Sequence, residues 1–147
     1  MTPSDDKVVS TPFGDLKLET ATSLWICQNA IHEFEIAIGG GAAEPSESAI
    51  MFAAQLLPLM EQLAHAARQH LDLFVKTSEF DSDGEWFLEG LLLNAPPVMS
   101  PNHFALSFTH PGDVYGYWTV VFQRFGEREQ KLLKGIACPI SFQREQQ

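Results

Sequence analysis

Asp81-Ser82-Asp83-Gly84-Glu85 is the densest run of oxygen donors in the chain. Calcium takes about six to eight oxygens, and this run lacks the carboxylate series and terminal glutamate of an EF-hand, so it reads as an acidic solvated turn. Glu33 and Glu35 fall two apart on an expected strand and so share a face, where like-charge repulsion would raise the pKa of one of them. A carboxylate pair divides acid and base roles in glycoside hydrolysis only across a cleft, so neighbours on one strand suit a polar, protein-binding face better. The histidines are His32, His65, His70, His103 and His110. On a helix His65 and His70 diverge by about 140°, unlike the metal-binding i,i+4 pair. His32 and His103 meet only if a sheet brings them together.

Nucleophile and cofactor patterns are missing from the sequence. There is no G-x-S-x-G elbow, and Ser107 and Ser141 read as ordinary strand residues. Cys27 and Cys138 each sit in an apolar stretch without zinc-ligand spacing, as expected of two buried thiols. Gly39-Gly40-Gly41 has neither phosphate-loop pattern and is followed by Glu44 and Glu47, which repel phosphate, so it reads as a linker. No cofactor or metal is expected. The remaining surface candidate is Asp113-Val114-Tyr115-Gly116-Tyr117-Trp118, where tyrosines supply rigid amphipathic contacts of the kind found at protein interfaces. Trp118 alternates with Val120 and Phe122 and reads as core; Tyr115 is the better exposed anchor.

The elements that must position these residues follow from periodicity. Phe13–Glu19, Leu24–Asn29 and Ile31–Ile38 read as short strands, the last with His32, Phe34, Ile36 and Ile38 opposite Glu33 and Glu35. Pro45 suits a first helical position, Glu47 suits a helix start, and Phe52, Leu56, Leu59, Leu63, Ala66, His70 and Phe74 form a helical stripe. Pro58 should kink or break this register. Trp86–Leu93, His103–Thr109, Tyr117–Arg124 and Leu132–Ser141 read as further strands, with Pro111-Gly112 turning a hairpin through a positive φ at the glycine. The expectation is an α+β fold of N-terminal antiparallel strands, a central long or Pro-kinked helical region and C-terminal antiparallel strands. One domain spans 1–147, with 1–10 and 143–147 frayed and 39–44 an internal linker.

Charge narrows the partners. Nineteen Asp and Glu against nine Lys and Arg give a formal net charge of −10, which repels nucleic acid and anionic lipid and steers basic partners inward. MTPSDDKVVS has no basic segment followed by an apolar run, and no stretch approaches the ~20 apolar residues of a membrane span, so a cytoplasmic protein is expected.

Phe13-Gly14-Asp15-Leu16, the central amphipathic helix and the late aromatic strand Asp113–Phe122 together resemble small acidic bacterial domains of uncharacterised function, some associated with immunity proteins of polymorphic toxin systems. The resemblance implies a small α+β domain with a protein partner and carries over no catalytic residue. The leading expectation is therefore a non-enzymatic binding protein, of the immunity type, that occludes a basic protein through Glu33, Glu35, Asp113, Tyr115 and Tyr117. The alternatives are an enzyme or small-ligand domain with a His/carboxylate pocket, and a homodimeric accessory protein.

Overall fold

The computed structural model of the protein describes residues 7–27, 33–41, 43–80, 84–95, 103–124 and 137–146. Eight strands lie side by side in chain order: β1 (Val8–Thr11), β2 (Gly14–Glu19), β3 (Leu24–Cys27), β4 (Glu35–Ile38), β5 (Phe87–Leu93), β6 (His103–His110), β7 (Asp113–Arg124) and β8 (Ala137–Gln146). All neighbours are antiparallel except β4 and β5, which run parallel. The exception follows from connectivity, because the helical region lies between these two strands and a parallel pair needs such a crossover. The α+β expectation holds; the parallel join at its centre was not anticipated.

The helical region runs from α1 (Glu47–Leu56) through a single 3-10 turn at Leu57–Leu59 into α2 (Met60–Phe74). Ser46 caps α1: its backbone is extended and its Oγ accepts the Ala49 amide at 3.3 Å. Pro45 thus stands one residue before the cap, not at the first helical position. Pro58 falls in the first turn of the 3-10 segment, where a missing amide costs least, and the chain passes on into α2 without a loop.

The helices lay one stripe on the sheet. Ala49, Phe52, Ala53, Leu56, Met60, Leu63, Ala64, Ala67 and Leu71 are buried. From Leu59 onward this stripe differs from the expected one, since Leu59, Ala66 and His70 are half-buried and Phe74 is exposed. Alanines at 64 and 67 let the helix approach the sheet closely, whereas the larger flank lies at the margin beside Phe142 of β8. Across the interface Phe52 meets Phe104 edge-on at 5.5 Å and Phe104 stacks on Phe122 at 5.0 Å. Each such burial contributes roughly 1.5–3 kcal/mol.

Several segment expectations change. Val8–Ser10 and Gln143–Gln146, expected to fray, are strand residues paired with β2 and β7. The last strand begins at Ala137; residues 125–136 lie outside the described set, as do 28–32 and 81–83, and with them His32, Asp81, Ser82 and Asp83. The 39–44 connection is anchored at both ends: the Gly39 amide donates to Leu93 O at 2.9 Å and Gly39 O accepts from Ser46 N at 3.0 Å. The Pro111-Gly112 hairpin forms, but Gly112 is not at positive φ. Its amide is instead held by His110 Nδ1 at 2.9 Å.

Candidate functional site

Strand register assembles an acidic patch on the face away from the helices. Glu35, Gly90, Ser107, Thr119 and Gln143 stand opposite one another in successive strands β4 to β8. The middle of this row is small and buried, so the Tyr117 ring can lie across it from β7: a Cβ built on Gly90 would meet Tyr117 Oη at 3.9 Å and Glu35 Cβ at 4.0 Å. Tyr117 stands opposite Glu145, and Glu89, beside a register shift in β5, accepts a 2.9 Å hydrogen bond from Thr109 Oγ1.

The charges here are unbalanced. Burial pushes the Glu35 carboxyl up from its ordinary 4.5, and the Glu19 and Glu89 carboxylates push it further. Burial likewise raises the Tyr117 phenol, with Glu35, Glu89 and Glu145 adding to it and the nearby Ser107 hydroxyl opposing it. Ser107 Oγ is itself buried without a hydrogen-bond partner of regular geometry. Lys17, opposite Ile26 and so in line with Ala37, is the one cation that register places on this face among the described residues. It makes no ion pair there; the one salt bridge among the described residues is elsewhere.

That bridge accounts for Asp113. Arg144 grips its carboxylate with two 2.8 Å bonds, from Nε to Oδ2 and from a terminal nitrogen to Oδ1, while Trp118 Nε1 donates to Oδ2 at 2.8 Å. The Arg144 hydrogen bond is the main reason that the Asp113 pKa lies below its ordinary value, with the Trp118 bond assisting against the opposing effect of burial. Gly116 passes beneath, where a Cβ would run into the Asp113 carboxylate. Asp113 therefore clamps β7 to β8. Tyr115 and its neighbour Val114 are 66% and 72% exposed and leave an aromatic and an aliphatic side chain facing solvent beside this clamp.

On the helix side, grooves lined by described residues border the helical region. One that is mainly apolar, about 600 Å³, lies between β1 and α1 and includes Val9, Pro12, Ile50 and Met51. A second, about 670 Å³, is formed by Glu33, Phe34, Met60, Glu61, Arg68 and Glu89 among others. A third, about 340 Å³, brings His65, Arg68, Asp72, Glu85, Trp86 and His110 together. His110 is spent on structure: Nδ1 accepts the Gly112 amide, leaving Nε2 to donate to Gly84 O at 3.2 Å, and its ring packs edge-on against Phe80 and Trp86. Trp86 Nε1 in turn occupies Asp72 Oδ1 at 3.1 Å.

Of the residues singled out in the sequence, the structure brings Glu35 and Tyr117 together. Glu33 lies in a bend before β4 and lines the 670 Å³ groove, so the strand alternation that would pair it with Glu35 does not reach it. His103 is half-buried opposite Gln123, while His65 and His70 face different surroundings, the 340 Å³ groove and the Phe142 ring. Cys27 and Cys138 are both half-buried rather than buried. Among the described residues no group of three or more His, Cys, Asp or Glu is placed to hold a metal, and no helix is long and apolar enough to cross a membrane. Glu19, Glu89, Glu145 and Arg68 were not anticipated, because each gains its meaning from a strand or helix distant in sequence. Comparison with protein-family models, with curated proteins and with solved structures finds no match to this chain.

Proposed function

We propose that this chain is a non-enzymatic binding protein whose acidic sheet face docks a basic protein and occludes it, in the manner of an immunity protein acting in the bacterial cytoplasm. The observation that carries this reading is the set of carboxylates around Tyr117 that no cation pairs among the described residues, in which Glu35 is pushed up by its surroundings and by Glu19 and Glu89. A lysine or arginine from a partner relieves that repulsion, so binding energy is gained at the place where the free protein is electrostatically strained. The formal net charge of −10 steers such a partner from a distance. Tyr117 and the exposed Tyr115, two apart on β7 and so on the same face, supply apolar contact once the faces meet.

The test is crosslinking and capture from the native cell, followed by titration of the recovered partner against the wild type and a Glu35→Lys/Glu145→Lys variant. One basic protein at one-to-one ratio is expected, with affinity falling as salt rises and falling about tenfold or more in the variant. A recovered partner that binds the variant as tightly as the wild type would overturn the assignment of this face.

A further inference from the structure

Arg68 sits where the 670 Å³ and 340 Å³ grooves meet and lines both. Its guanidinium is fixed in two ways: Nε donates to Trp86 O at 3.2 Å, and its central carbon lies 5.9 Å from the centre of the Phe108 ring. Only Nε is occupied. The two terminal nitrogens carry four N–H donors in a planar fork, and no ion pair or further hydrogen bond engages them among the described residues. Five carboxylates share the two grooves, Glu33, Glu61 and Glu89 in one and Asp72 and Glu85 in the other, yet none reaches the fork.

The geometry points to a binding site for a basic amino acid, either free or as the C-terminal residue of a peptide, on the helix side of the sheet, bordering the proposed partner face at Glu89. The fork matches a carboxylate in bidentate fashion. A simple anion such as phosphate is a poor occupant, because Glu33, Glu61 and Glu89 surround the same groove and repel it. A ligand bearing both charges satisfies both ends: its carboxylate on Arg68 and its side-chain cation among the glutamates. Glu61 and Arg68 lie seven residues apart on α2, about 10.5 Å along the axis. Ala64 between them leaves room for a methylene chain, and Phe34, Met60 and Leu88 give that chain an apolar wall. The groove volume falls within the roughly 300–1,000 Å³ usual for small-ligand sites.

Calorimetric titration of the full chain with L-arginine, agmatine and L-norvaline isolates the two charges, since agmatine lacks the carboxylate and norvaline the guanidinium. L-arginine is expected to bind, with agmatine and norvaline each weaker by about tenfold or more. Arg68→Lys, which keeps the charge and loses the fork, should weaken L-arginine by about tenfold, and the exposed Glu61→Gln change by several-fold while leaving the fold intact. Glycyl-L-arginine decides the source: binding as tight as that of the free amino acid indicates a peptide terminus, and its loss indicates a free amino acid. The proposal is overturned if L-arginine fails to bind at millimolar concentration, if agmatine equals it, or if neither variant changes its affinity. The variants at Arg68 and Glu61 leave every carboxylate around Glu35 and Tyr117 in place, so these readouts stand apart from the fate of the partner-binding reading.

Discussion

Glu35 on β4 and Tyr117 on β7, three strands apart, converge over Gly90 on the sheet face away from the helices. The convergence burdens the carboxyl, whose pKa is raised by burial first and by Glu19 and Glu89 second. A raised carboxyl pKa means that the folded chain holds its proton longer than the unfolded chain. Stability therefore falls as pH rises from 4.5 through the folded value, and the cost stays in place at neutral pH. Glu35→Gln should stabilise the protein at neutral pH by no more than about 0.5 kcal/mol, because the carboxyl is only partly desolvated and solvent screens it. Urea unfolding across the acidic range should show that gain vanishing below pH 4.5; a gain that persists there would mean the charge is not its cause.

Asp113 should behave in the opposite sense. Its lowered pKa, due chiefly to the Arg144 hydrogen bond, contributes stability that is present above 3.8 and lost as pH falls through the folded value. Asp113→Ala also strips the partner from the Trp118 indole, a largely buried donor, at a cost of about 1–3 kcal/mol. Chemical denaturation at neutral pH checks the loss. Because this carboxylate is turned inward, the same change should leave long-range steering by the acidic face almost intact, which salt-dependent association rates of the recovered partner would measure.

Sequence periodicity made most of the fold legible and little of the site. Alternation located β2, β5, β6 and β7 because one face of each must bury Leu, Phe, Val or Trp. The polar stretch Gln143–Gln146 gave no such signal, yet it is strand, since the twelve-residue β7 offers a ladder long enough to pair it. Val8–Thr11 was missed for the same reason, as a short edge strand with half its residues exposed. The parallel β4–β5 join leaves no local trace, because it depends on where the helical region returns the chain. The site was readable only at Glu35 and Tyr117, as an acidic and an aromatic residue on strand faces. Glu19, Glu89 and Glu145 join them through register, which no single segment encodes.

Gly39 tests the parallel join directly. It links the end of β4 to Leu93 through its amide, and a Cβ there would press into the Asn94 backbone carbonyl. A backbone carbonyl cannot swing aside as a side chain can, so Gly39→Ala should cost about 1–3 kcal/mol. The expected signature is a lowered urea midpoint with an unchanged slope, while Gly41→Ala, whose nearest neighbours lie at 3.9 Å, should change the midpoint little.

His70 extends the argument to the helix margin. Its ring lies 5.1 Å from Phe74 and 5.9 Å from Phe142, and this apolar setting lowers its pKa below 6.5 by desolvation. Between the folded value and 6.5 the unfolded chain binds more protons, so the contribution is complete above 6.5 and declines as pH falls below it. The ring is only partly covered, which limits the effect to a few tenths of a kcal/mol. His70→Phe keeps the ring contacts and removes the titration. Its thermal midpoint relative to wild type should therefore rise more at about pH 5 than at about pH 8, and an equal shift at both would show that packing alone sets the stability at this margin.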